Sequence, residues 1–173
     1  EIRGDIQEGH DPLGQRLSEI RTAADRRKVG AFYTPDAIVR PMVDWALQRN
    51  PDRVVDAGCG SGRFASAVAR TCPAVSIVAI DLDPVATLLT RAALRVVGAR
   101  QATVIQTDYT SLRLPTHPGL TAFLGNPPFV RHHDLTPAAK ERAASMGAEL
   151  GYRISGLAGL HTHFLLSSML NAR

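Results

Sequence analysis

Arg53-Val54-Val55-Asp56-Ala57-Gly58-Cys59-Gly60-Ser61-Gly62 runs from an apolar segment through an acid into three alternating glycines. The apolar part has the length and β-branched content of a buried strand. The glycines make a tight turn that a ligand can approach closely, because no Cβ stands in the way. The pattern after Gly62 predicts a helix from about Arg63. A dinucleotide-binding fingerprint would place its third glycine at position 63, and Arg63 stands there instead, so a dehydrogenase reading is poor.

The same theme repeats downstream. A strand over Val75–Ile80 ends in Asp81, and Asp83-Pro84 caps a helix carrying Val85, Leu88, Leu89, Ala92 and Val96, closed by Gly98. A third strand, Ala102–Thr107, ends in Asp108-Tyr109. A fourth, Leu120–Leu124, stops at Gly125-Asn126-Pro127-Pro128-Phe129. Strand–helix alternation of this kind predicts a parallel sheet with right-handed crossovers. Such sheets bind ligands beyond the carboxyl ends of their strands, where the strand order reverses. Four strand tips carrying Asp56, Asp81, Asp108 and Asn126 therefore mark one candidate site, although any single acid among them would serve equally as a helix cap. The two prolines stiffen the turn after Asn126, which offers a carbonyl and an amide beside the flat ring of Phe129. That is apparatus for gripping a planar group with an NH2, or else an ordinary proline turn.

Upstream, residues 1–29 are polar and charged, and Leu13, Leu17 and Ile20 predict an amphipathic helix from about Pro12 to Arg27, an arm on the domain. Arg21, Arg26, Arg27 and Lys28 form either a phosphate contact or a solvated face. In Gly30-Ala31-Phe32-Tyr33-Thr34-Pro35, Thr34 reads as an N-cap and Pro35 as the first helical residue. Ile38, Val39, Met42, Val43, Ala46 and Leu47 then form an apolar face, with Pro41 set to kink the helix or shift its start. The free amides at that helix start suit a carboxylate.

The chain's 173 residues make one domain or part of one, with 45% hydrophobic residues for a core and 21% charged. The net charge of +4 mildly favours an anionic partner, and nearly all the positive charge is arginine. Cys59 and Cys72 lack metal-ligand spacing, so a reduced, cytoplasmic setting is expected, and no apolar run suggests a membrane span. No metal site is expected from His132, His133, His161 and His163: His161 and His163 lie two apart on different helix faces, and no partner cysteine or acid completes a set. Residues 130–156 form a long connection with a short helix after Thr136-Pro137. Its Arg131, His132, Arg142 and Arg153 make it a candidate contact for an anionic partner or an ordinary surface loop.

Val54 to Gly62 resembles the first motif of class I methyltransferases that use S-adenosylmethionine, with Asp81 as their second-strand acid and Asp108-Tyr109 as their third-strand pair. Asn126-Pro127-Pro128-Phe129 is similar to the Pro-Pro motif of amino-methyltransferases. Gly30 to Pro35, ahead of the glycine loop, and Val130-Arg131-His132 resemble the gamma-type N6-adenine DNA methyltransferases of restriction-modification systems. The resemblance covers about residues 28–131, with a further helix at about 157–171. It implies an α/β, Rossmann-like class I methyltransferase fold with a doubly wound parallel sheet. It divides the chain into an N-terminal helical arm, residues 1–29, and a partial catalytic domain, residues 30–173. Only the first four strands are found, so the chain is expected to be an N-terminal part completed by a target-recognition domain or a second polypeptide.

Role by role, the resemblance implies an enzyme that binds S-adenosylmethionine and double-stranded DNA. Thr34, with neighbouring Tyr33, would hold the methionine carboxylate, and Asp56 with the backbone of Gly58 and Gly60 would line the methionine. Asp81 would accept from the ribose hydroxyls, Leu82 would join it in binding cofactor, Asp108 would accept from the adenine amine, and Tyr109 would lie against that ring. The target adenine would be flipped from the duplex. Asn126 and the Pro127 carbonyl would accept its amine, in a turn stiffened by Pro128, and Phe129 would stack on it. Methylation of release-factor glutamine, methylation of RNA guanine N2, and a non-catalytic binding fragment remain as alternatives.

Overall fold

The computed structural model describes residues 1–20 and 34–172. Two short helices, α1 (Ile2–Glu8) and α2 (Pro12–Ile20), precede the first core helix, α3 (Asp36–Leu47). Strands β1 (Arg53–Ala57), β2 (Ser76–Asp81), β3 (Ala102–Gln106) and β4 (Thr121–Leu124) then form a parallel sheet of order β3-β2-β1-β4. The chain thus builds outward from β1 to β3, then returns to set β4 against the other side of β1. The strand order reverses between β1 and β4, where Asp56 pairs in register with Leu124.

Helices α4 (Arg63–Thr71) and α5 (Pro84–Val96) supply the first two crossovers. Side chains alternate across a strand, so Val54 and Val55, both fully buried, serve opposite faces. Val54, Ile77, Ala79 and Leu124 meet Val39 and Val43 of α3, Phe64 and Val68 of α4, and Leu94 of α5. Val55 and Ile80 face the other way, onto Tyr109, Phe123 and Phe164. Phe164 belongs to α7 (Leu160–Asn171), on which α6 (Pro137–Glu149) packs through Ala143 and Met146 against Leu166 and Leu170. Burying each such aliphatic side chain contributes about 1.5–3 kcal/mol, and these two layers hold the strand tips in place.

Several expectations change in detail. The helix predicted over Pro12–Arg27 is described only as far as Ile20, and Arg21, Arg26, Arg27, Lys28 and Tyr33 lie outside the described residues. Helix α1, which no apolar periodicity announced, ends at Gly9 in the left-handed region, φ 104°. Thr34 does not cap α3. Pro35 holds the N-cap position, and its carbonyl accepts from the amides of Ile38 and Val39 at 2.9 and 3.1 Å. A residue before proline is driven to extended backbone, which leaves the Thr34 hydroxyl free to point elsewhere. Helix α3 runs on through Pro41.

The expected apolar face of α5 is rotated. Leu88 is 63% exposed, and the buried residues are Ala86, Thr87, Thr90, Ala93 and Leu94. The reason is the glycine loop: a Cβ on Gly62 would lie 2.9 Å from Thr90 Cα, so only a face of small side chains can approach. The helix after Thr136 spans 13 residues, capped by the Thr136 hydroxyl accepting from Ala139 N.

Candidate active site

The glycine loop leaves β1 and turns immediately toward β2. The amides of Gly58 and Cys59 donate to the Ile80 carbonyl at 2.8 and 3.0 Å, and Gly62 N donates to Cys59 O. Gly60 N donates to Asp81 Oδ2 at 2.8 Å. The loop amides of Gly58 and Gly60 are therefore consumed within the protein. What they offer a ligand is close approach. Gly62 has φ 84°, a left-handed conformation that disfavours any side chain.

Asp56 is fully buried at the tip of β1. Its Oδ2 accepts from Ala65 N at 3.0 Å, which anchors the start of α4, while Oδ1 has no hydrogen-bond partner. Burial pushes this carboxyl up to about 7, offset in part by the Ala65 amide and reinforced by the charge of Asp81. Gly125 permits the closeness of β1 and β4 here: a Cβ on it would sit 3.0 Å from the Ala57 carbonyl and 3.1 Å from Asp56 Oδ1. This carboxylate oxygen beside the reversal point is buried without the donor that burial of a polar atom ordinarily requires.

Asp81, at the tip of β2, accepts from Gly60 N through one oxygen and from Asp83 N through the other. Burial raises its pKa and the backbone donors lower it, with burial the larger effect. Each oxygen keeps capacity for a further donor. Leu82 beside it is 69% exposed.

The tip of β3 departs from expectation. Asp108 Oδ1 accepts from both the amide and the hydroxyl of Thr110, and Oδ2 accepts from Arg142 Nη1 of α6 at 2.7 Å. Tyr109 is 2% exposed, its hydroxyl hydrogen-bonded with Ser168 and its ring 5.3 Å from that of Phe164. The Tyr109 ring is thus built into the layer beneath the sheet, leaving its backbone at the strand tip.

The Asn126-Pro127-Pro128-Phe129 turn lies directly against the glycine loop. A Cβ on Gly58 would be 3.5 Å from Pro128 Cδ, 3.6 Å from Phe164 Cε1 and 3.9 Å from the Asn126 carbonyl. Asn126 Nδ2 donates to Thr34 Oγ1 at 3.2 Å, so the segment ahead of α3 reaches the same place. Phe129 is 59% exposed, with the His161 ring 6.0 Å away and tilted by 34°. The fold therefore brings Thr34, Asp56, Gly58, Gly60, Asp81, Asn126 and Pro128 to one end of the sheet.

Several residues at this end were not singled out as site residues by sequence pattern. Phe164, inside an otherwise ordinary helix pattern, closes the site from below. Asp11 of the N-terminal segment accepts from Ser61 Oγ at 2.5 Å and from Gly14 N at 2.8 Å. Arg63, buried at the start of α4, lies 3.9 Å from Asp11 and pairs with Asp36 at the start of α3. The arginine at the position of a would-be third glycine thus ties three segments together. Only its oddity in that motif marked it.

Among the described residues, no three His, Cys, Asp or Glu side chains are grouped to hold a metal. His163 is buried, and burial lowers its pKa, whereas His161 is exposed. Among the described residues no helix is long and apolar enough to cross a membrane.

A family model described as the methyltransferase small domain matches residues 41–149, from α3 to the end of α6. The chain belongs to that methyltransferase family. A solved structure from Listeria monocytogenes, described as a class I S-adenosylmethionine-dependent methyltransferase, superposes on this methyltransferase with a TM-score of 0.70. That match covers 99% of this chain and 51% of the other at 15% identity, and it shows the shared Rossmann-like class I fold. The type II methyltransferase M.XamI of Xanthomonas campestris pv. amaranthicola is 46% identical over 165 residues, covering 94% of this chain and 30% of that protein. The release factor glutamine methyltransferase of Bordetella pertussis is 27% identical over 148 residues, covering 75% and 54%. This methyltransferase chain spans about a third to a half of the length of these curated relatives.

Proposed function

We propose that the protein transfers a methyl group from S-adenosylmethionine to the N6 amine of an adenine flipped out of duplex DNA. The observation that carries this reading is the Asn126 turn, set against the glycine loop at the point of strand reversal, with its amide NH2 bonded to Thr34. Its acceptor end is left for an amine. The 46% identity to a type II methyltransferase supports DNA as the substrate and a restriction-modification role.

The residues present fit the cofactor. The unpartnered Asp56 Oδ1 suits its ammonium group, and Asp81 keeps acceptor capacity for two ribose hydroxyls. Bound there, S-adenosylmethionine supplies a methyl group made electrophilic by a sulfonium. The protein's own part is positioning and charge placement. Asn126 Oδ1 and the Pro127 carbonyl accept the two N–H bonds of the target amine, which turns its lone pair away from the ring plane. Phe129 stacks on the base. The proton leaves after the nitrogen has become positive, so no strong base is required. Residues 1–29 act as an arm on the catalytic domain formed by residues 30–173, and further chain or a second polypeptide supplies target recognition.

The release factor glutamine methyltransferases among the relatives favour a second reading, in which the same turn holds a glutamine amide. One experiment separates the two. The full coding sequence is expressed in a host lacking adenine methylation, and its DNA is digested and assayed for N6-methyldeoxyadenosine, with Asn126→Ala as control. A signal that disappears in the control supports the DNA reading. Unmethylated DNA, with methyl transfer to release factor in vitro, replaces it with the second.

A further inference from the structure

We infer that Asp11, in the N-terminal arm, is the positioning residue that holds the glycine loop in shape and so sets the affinity for S-adenosylmethionine. The inference rests on the cofactor placement proposed above and is independent of which amine is methylated. Asp11 lies between α1 and α2 and is 7% exposed. Its Oδ2 accepts from Ser61 Oγ at 2.5 Å, and its Oδ1 accepts from Gly14 N at 2.8 Å. A carboxylate can only accept, so the Ser61 hydroxyl is the donor. The junction is close-packed: a Cβ on Gly14 would lie 2.6 Å from Ser61 Oγ. The arm is fastened a second time where Arg70 Nη1 of α4 donates to the carbonyl of the buried Ile6 at 3.1 Å.

Ser61 stands between Gly60 and Gly62, whose φ angles are 57° and 84°. Glycines on both sides give that backbone many other conformations, so a side-chain anchor between them removes much freedom. Thr90 of α5 holds the loop from the other side, its hydroxyl donating to the Gly60 carbonyl at 3.0 Å. The peptide joining Gly60 to Ser61 is thereby clamped between α5 and the arm. Gly60 N in turn donates to Asp81 Oδ2 at 2.8 Å. The arm's carboxylate therefore acts, through Ser61 and Gly60, on the acid assigned to the ribose hydroxyls. A loop already held in shape loses less freedom when the cofactor arrives.

The test measures binding of S-adenosylhomocysteine by calorimetry, and urea unfolding without ligand, on the protein from its full coding sequence. Ser61→Ala removes the hydroxyl and leaves Asp11 its bond to Gly14, and Asp11→Ala removes the arm's end of the contact. Each is expected to weaken Kd roughly tenfold, the size of one hydrogen bond to a charged group. Gly14→Ala, which crowds the contact while keeping both partners, is expected to weaken Kd likewise. The double variant of Asp11 and Ser61 is expected to bind no more weakly than Asp11→Ala alone, since the two side chains form one contact. An arm that only props the fold would shift the urea midpoint and leave Kd at the wild-type value in Asp11→Ala, which would overturn the inference. Weakening in Ser61→Ala alone would do the same, because Ser61 would then act without the arm, and so would losses that add in the double variant. Asp81→Asn tests the cofactor placement separately. A wild-type Kd in that variant would remove the placement, whereas lost binding there beside a wild-type Kd in Asp11→Ala would remove the inference alone.

Discussion

Replacing Asp56 by Asn should become steadily more favourable to stability as pH rises. The carboxyl is fully buried and is pushed up to about 7, with one oxygen unpartnered. An aspartate in an unfolded chain titrates near about 3.9. The folded pKa lies above the unfolded one, so the folded state holds a proton that the unfolded state has released. Stability from this group is full below about pH 4 and is lost as pH rises toward and through about 7. A gap of about three units corresponds to roughly 4 kcal/mol, of which about 3 kcal/mol falls between about pH 5 and pH 8. Asparagine keeps an oxygen to accept from Ala65 N and carries no charge. The assay is urea unfolding of both proteins, without cofactor, at several pH values in that range. Relative to wild type, the variant should gain roughly 3 kcal/mol from the acid end to the alkaline end. Titrating groups other than Asp81, whose charge couples to Asp56, are common to both proteins and cancel. A stability difference that does not change with pH would refute the claim that Asp56 is a buried, desolvated acid.

Gly62→Ala should destabilise by roughly 1–3 kcal/mol, since it combines φ 84° with a Cβ 2.9 Å from Thr90 Cα. Gly60→Ala, at φ 57° with open space around it, should cost only about 1–2 kcal/mol, and thermal unfolding of the pair tests the ordering. Arg142→Ala should cost less than about 1 kcal/mol despite its 2.7 Å bond to Asp108, because both side chains are more than a third exposed. A larger loss in denaturant titration would mean that α6 depends on this contact. Cys59 is 5% exposed and its thiol is pushed up by burial and by the nearby Asp56, so it should resist a disulfide reagent that modifies the half-buried Cys72. Equal modification of both thiols in the native protein would contradict the packing of the glycine loop.

What sequence alone determined is local and periodic. The β-branched run at Val54-Val55, the alternation of strands with helices and the glycines after Asp56 specify a parallel sheet, because backbone geometry and connection handedness leave few other arrangements. Polar residues at four strand ends could be read as one site for the same reason, since parallel strands all finish on one side. Only the tertiary structure decided which atoms at that site are free. The amides of Gly58 and Gly60 are consumed by Ile80 and Asp81, and Asp108 accepts from Thr110 and Arg142, while Asp56 keeps an unpartnered oxygen. It also turned the Thr34 hydroxyl from an expected helix cap to a partner of Asn126, and set Asp11 on Ser61 across 50 residues of sequence. Hydrogen bonds between distant segments have no period and no local propensity. They exist only once packing has brought the groups within about 3 Å of one another.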